Sequence, residues 1–210
     1  LGWLKLYHIH DFNPTLDRSG VPRQKVTANR FRAQLRHRID LQDIFLGGDS
    51  YLDANLTYLS DRFYLEDYDP EAFRVEPTPD NILALTHQRG RNLLTLWGRV
   101  RPNSFYQTDT RLPEFALDQI RQPFLGSRLL HEGQFVAGLY NEVLPDFRRR
   151  ELAAESEALD PADPRSDEIR TILAERGYTR LHFWQEISLP MSLENRINLI
   201  PRAGLGSTLY

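Results

Sequence analysis

The sequence predicts an all-β chain, an antiparallel up-and-down meander forming part of a large transmembrane β-barrel, with a short helix in one long loop. Three observations predict it. Apolar and polar residues alternate with period two through most of the chain. The candidate strands run to about ten residues, against a mode of about five or six in water-soluble sheets. Short turns also alternate with long connections, the layout of an outer-membrane barrel.

Strands are expected near 3–10, 26–38, 50–60, 80–89, 92–101, 111–121, 128–142, 179–190 and 193–204. In the second, Phe31, Ala33 and Leu35 share one face while Arg30, Arg32, Gln34, Arg36 and Arg38 share the other. In the third, Leu52, Ala54, Leu56 and Tyr58 oppose Asp53, Asn55 and Thr57, and in the eighth Leu181, Phe183, Ile187 and Leu189 oppose His182, Glu186 and Ser188. A strand of about ten residues tilted by 45° stands about 23 Å tall, close to the roughly 25 Å apolar band of such a barrel.

Gly90-Arg91, Gln122–Ser127 and Met191-Ser192 read as short turns, and 39–49 with Gly47-Gly48 is intermediate. The stretches 11–25, 61–79 and 143–178 read as long connections, and 102–110 as a loop. In the longest, 147–159 is charged and helix-compatible until Asp160-Pro161 and Asp163-Pro164 break it. Ser166 then caps a short helix with the stripe Ile169, Ile172 and Leu173, ended by Gly177. The chain is thus read as one partial outer-membrane β-barrel domain over 1–210, with about nine strands and the helix-bearing insertion at 143–178.

Composition narrows the function. The 210 residues are 40% hydrophobic and 26% charged, ordinary for a folded chain. A net charge of −3 speaks against a nucleic-acid binder. Without cysteine there is no disulfide, thiolate metal site or cysteine nucleophile. No stretch reaches the roughly 18 apolar residues of a membrane helix. Mean hydropathy is −0.51, but alternation hides a barrel's lipid face in such an average. The opening at Leu1, without a signal peptide, points to a piece of a longer chain.

Candidate chemistry is sparse. His8 and His10 share a strand face but lack a third metal ligand. Asp49, Asp53, Asp61, Glu66, Asp67 and Asp69 are dense enough for calcium yet lack its loop spacing. Ser60, Asp61 and His87 have no nucleophile elbow around them, and Glu155 with Glu157 reads as helix surface. No catalytic residue, cofactor or metal is therefore expected, and the chain is read as not an enzyme.

The row Arg30, Arg32, Arg36 and Arg38 is the notable set, expected to face a lumen. Of 26 basic residues only Lys5 and Lys25 are lysine, and arginine grips phosphate and carboxylate through a two-pronged fork. Such a row either favours a phosphorylated glycolipid or pairs with acidic neighbours across strands. The aromatics Tyr51, Tyr58, Phe63, Tyr64, Phe105, Tyr106, Phe124, Tyr140, Phe147, Tyr178 and Tyr210 gather at strand ends, where a membrane girdle needs them.

Several segments resemble a known family. Leu35-Arg36-His37-Arg38, Asn55 to Arg62 (NLTYLSDR) and Arg111-Leu112-Pro113-Glu114-Phe115 are similar to strands of the lipopolysaccharide-assembly barrels, the LptD family. So are Thr179 to His182, Ser188-Leu189-Pro190, Ile200 to Gly204 and Thr208-Leu209-Tyr210. The resemblance implies a place in the cell outer membrane and a part in carrying lipopolysaccharide to the surface. It also implies an LptE-like lipoprotein partner and contact with membrane lipid. Neither the family's jelly roll, its lateral gate nor its disulfides map onto these residues. Two other readings share the alternation: an outer-membrane porin or uptake channel, and a soluble all-β carbohydrate-binding module.

Overall fold

Alternating sequence becomes one sheet in which each strand pairs antiparallel with its neighbour in the meander. The computed structural model describes residues 2–41, 47–160, 163–174, 176–193 and 196–210. The strands are β1 (Gly2–His10), β2 (Asn29–Asp40), β3 (Asp49–Leu59), β4 (Ile82–Arg89), β5 (Asn92–Arg99), β6 (Thr108–Pro123), β7 (Leu130–Val143), β8 (Arg176–Ser188), β9 (Met191–Leu193), β10 (Ile197–Leu199) and β11 (Arg202–Leu209). Nine of them form one sheet in the order β1-β2-β3-β4-β5-β6-β7-β8-β11, while β9 and β10 make a separate hairpin. The fold is an all-β antiparallel up-and-down meander, as the period-two pattern predicts.

Register sorts the side chains onto two faces. Opposed pairs such as Leu4↔Leu35, Leu35↔Leu56, Leu52↔Leu85, Leu85↔Leu96, Leu96↔Phe115, Ala137↔Leu181 and Leu181↔Leu209 run from edge to edge and form an apolar face. The other face carries pairs such as Tyr7↔Arg32, Arg38↔Asp53, Trp97↔Glu114 and Asp118↔Gln134. Irregularities at Trp97/Arg99, Arg111/Glu114 and Gln119/Gln122 bend β5 and β6 without exchanging the faces between β6 and β7.

The connections fall into two groups by end of the sheet. At one end the chain runs through 11–28, 60–81, 100–107 and 144–175; at the other through 41–48, 90–91, 124–129 and 189–201. The tightest is Gly90-Arg91, where Gly90 takes φ of 60°, as the first central residue of a two-residue hairpin turn requires. Long connections at the first end fold into α1 (Tyr64–Tyr68), α2 (Pro70–Val75), α3 (Asp146–Ala158) and α4 (Pro164–Leu173).

Burial is inverted relative to a water-soluble domain. Among the described residues the buried hydrophobics are only Leu59, Tyr64, Leu65, Tyr140, Leu152 and Ile169. Leu59, Tyr64 and Leu65 form a cluster joined by Ile9, Phe73, Phe105 and Tyr106, set where α1 and α2 lie on the polar face of β2 and β3. The apolar face stays bare. Even on central strands Leu83, Leu96 and Phe135 are 39%, 43% and 36% exposed.

Local corrections concern helices and turns. The 61–79 loop contains α1 and α2, and α2 starts with Pro70 after Asp69, whose side chain accepts from the Ala72 N–H. The cap of α4 is Asp163, accepting from Arg165 N, whereas Ser166 sits buried inside the first turn. Gly177 lies within β8, since α4 already ends at Leu173. Met191-Ser192 is not a turn but part of the β9–β10 hairpin, so the expected strand 193–204 is divided. Pro161, the centre of the 39–49 turn (42–46) and residues 194–195 lie outside the described residues.

Candidate functional site

The polar face of β1 to β3 gathers the arginine row with most of its acidic partners. Arg30 is fully buried, and its Nε and Nη2 donate to the two Asp61 carboxylate oxygens at 3.0 and 2.7 Å. Its Nη1 donates to Asp67 at 2.6 Å and Asp11 at 3.1 Å. Arg23 reaches the same Asp67 oxygen at 2.5 Å. Two guanidiniums thus serve three carboxylates in a site from which water is largely excluded. A buried charge survives only with such pairing. The Arg30 guanidinium also lies 4.8 Å from the Tyr68 ring centre, and that of Arg23 4.8 Å from Phe63.

The next arginines become progressively more solvated. Arg32 donates to Asp69 at 2.7 Å and lies 4.4 Å from the Tyr7 ring. Arg36 donates to the Asn55 side chain at 3.1 Å. Arg38 grips Asp53 with two bonds of 2.7 Å and covers Tyr51. All four arginines share a face; Arg30, Arg32 and Arg38 are paired with carboxylates, whereas Arg36 meets only the neutral Asn55 amide. Of the acids that suggested calcium, Asp53, Asp61, Asp67 and Asp69 have arginine as their counter-charge. The described residues hold no group of three or more His, Cys, Asp or Glu able to hold a metal ion.

These pairs act on the carboxyls of the connections. Burial works against charge on Asp11, but the Asn13 N–H and Arg30 outweigh it and hold its pKa below the ordinary value. The Arg32 hydrogen bond does the same for Asp69, with help from the Ala72 N–H. Burial, reinforced by the Asp61 charge, pushes Tyr106 up to about 12.

Two asparagines that the sequence reading passed over complete this region. The pairing of β3 with β4 stops at Asn55↔Ile82, leaving the end of β3 without a neighbouring strand on that side. Asn81 accepts from Thr57 N at 2.5 Å. Asn103 accepts from Leu59 N and donates to Thr57 O, both at 2.8 Å. The side chains replace the missing ladder, so the backbone stays satisfied although buried. Pro79-Asp80-Asn81 and Pro102-Asn103 were the available signals, each an asparagine one or two residues after a proline.

The far flank of the same face is differently built. Arg121 pairs with Glu132, and Glu186 lies 3.7 Å from both Arg121 and Arg202. Tyr140 donates to Glu114 and stacks on Tyr178 at 5.2 Å between ring centres, with Tyr210 6.1 Å beyond. The aromatics expected as one girdle therefore divide: Tyr64 and Tyr140 are buried on the polar side, while Tyr58 packs against Phe31 on the apolar face.

Other candidates are not assembled. His87 bonds Ser50 at 2.8 Å, at the opposite end of β3 from Ser60, whose hydroxyl donates to Asp61. His10 bonds the Asn29 side chain at 2.9 Å. No known protein family and no curated protein matches this chain.

Proposed function

We propose that this chain is a stretch of outer-membrane β-barrel wall that takes part in bringing lipopolysaccharide to the cell surface. The uncovered apolar face carries the reading. Monomers in water rarely expose a contiguous apolar patch of more than a few hundred Å². Here such a face runs across nine strands, and α1 and α2 lie on its polar reverse. Fatty-acid chains are the natural solvent for it.

The lipopolysaccharide part rests on the motif resemblance of segments such as Asn55 to Arg62 and Thr179 to His182. On this reading the polar face, with Arg36 and Arg38 least covered, lines the interior beside an LptE-like partner. The chain supplies wall rather than catalysis. β1 and β11 run in the same direction, because an odd number of strands separates one edge from the other. An all-antiparallel closure therefore takes an odd number of further strands, and hydrocarbon tolerates no open edge.

The test is Leu96→Arg in the full protein, followed by outer-membrane fractionation and gel mobility before and after heating. At mid-membrane the substitution costs about 2–4 kcal/mol and is expected to remove the folded, membrane-inserted species. A protein that folds as a clean monomer in detergent-free buffer overturns the wall reading. A photo-crosslinker at Arg36 is expected to capture lipopolysaccharide during export. Channel conductance with no lipopolysaccharide captured would favour the porin reading.

A further inference from the structure

A cleft of about 550 Å³ opens where the connections after β1, β3, β5 and β7 meet, outside the buried arginine cluster. Three cations line it: Lys25, Arg62 and Arg150. Its two acids each have an arginine partner. Asp61 is held by Arg30 on both oxygens and also accepts from Ser60 and the Phe63 N–H, and Asp146 pairs with Arg101. Among the described residues no carboxylate lies within ion-pairing distance of Lys25, Arg62 or Arg150. Arg62 donates to the neutral Gln24 amide at 3.2 Å and is held between two rings, 4.6 Å from Phe63 and 4.3 Å from Phe147.

Stacking fixes the plane of that guanidinium while leaving most of its N–H edge free, the state in which it binds an anion with least loss of side-chain freedom. The charge excess suits phosphate, which takes arginine through its fork and lysine as a point charge. The phenyl groups of Phe105 and Phe147 offer an apolar floor, and the Ser104 hydroxyl offers a polar partner. A bare ion would use the cations and leave the rest idle.

We infer that this cleft is a binding site for a phosphate ester carried on a sugar-sized ring. The phosphate sits among Lys25, Arg62 and Arg150, and the ring lies against Phe105 and Phe147. The site is made of connections and does not depend on what covers the apolar face.

The test is calorimetric titration of the full protein in detergent micelles with glucose 1-phosphate, glucose and inorganic phosphate as separate probes. Glucose 1-phosphate is expected to bind and glucose not to. Arg62→Gln and Arg150→Gln should each weaken binding roughly tenfold, the scale of one lost charged hydrogen bond. Arg150 is exposed on α3, so its replacement leaves folding alone even if Arg62→Gln does not. Arg148→Gln, next to Glu151 and outside the cleft, is the control and should bind as the parent does. Absence of glucose 1-phosphate binding, or affinity untouched by Arg150→Gln, overturns the site. Inorganic phosphate binding as tightly as the ester overturns the sugar assignment. Membrane insertion is read separately, so failure here leaves the wall reading standing, and the reverse.

Discussion

The two flanks of the sheet share a strand pattern but solve the polar face differently. At β1 to β3 the connections fold back as α1 and α2, bury Leu59 and Leu65 and close over Arg30. At β7, β8 and β11 Arg202 and Tyr178 remain half exposed, and among the described residues of these strands only Tyr140 and Ser188 are buried besides glycine positions. One flank is held by packing and buried charge together; the other is held by the backbone ladder and by half-exposed polar pairs. The difference teaches that alternation specifies a sheet, whereas the connections decide which part is rigid.

The sharpest way to break the contrast is Arg30→Ala. It strands Asp61 and Asp67 without their main counter-charge, and removing one partner of a buried pair costs about 3–5 kcal/mol. Hydrogen exchange should rise through 60–75 while β7 and β8 stay protected. Asn103→Ala comes next. It leaves the Leu59 N–H and Thr57 C=O buried and unpaired, a cost of about 2–4 kcal/mol visible as slower refolding or earlier chemical unfolding of the same flank.

Acid sharpens the comparison further. Asp11 and Asp69 titrate below their ordinary value of 3.8, so their stabilisation is present above that value. It is lost as pH falls through the depressed values. Protease cleavage in 60–81 should therefore stay constant from neutral pH to about 5 and climb below about 4. In alkali the sign reverses for Tyr106. Its ionisation, ordinarily at 10, is delayed to about 12, so stability declines across that interval. The same proteolysis assay reads both limits.

Smaller effects belong to the open flank. Leu125 has φ of 48° and the residue is 89% exposed, so Leu125→Gly relieves a left-handed strain of about 1 kcal/mol with little packing lost. A rise in the unfolding midpoint checks it. Arg202→Ala removes an exposed pair of 3.7 Å and should change stability by less than about 1 kcal/mol.

Much of the sheet was legible because period two is written residue by residue, as Phe31, Ala33 and Leu35 show against Arg30, Arg32 and Gln34. The capped flank was not. Tyr64 to Val75 is too short to show a helical stripe, and its helices exist because Leu65 and Phe73 find Leu59 and Ile9 across the chain. Arg30 and Arg38 look alike in sequence, yet one is sealed and the other half solvated, because burial depends on which connection folds over them. The prolines ahead of Asn81 and Asn103 mark turns, but the role of the two asparagines is set by where β4 stops.

One feature of the topology bears on how the molecule is made. Almost every ladder joins segments that emerge consecutively, so hairpins can zip up in order with modest loss of chain freedom. The exception is β8 with β11, which must find each other across an intervening mini-hairpin. The longest loop to close is nevertheless 144–175, so the ladder of β7 with β8 should form last, leaving the margin at β7 exposed to stray pairing for the longest time. A holding chaperone would be needed most at that moment.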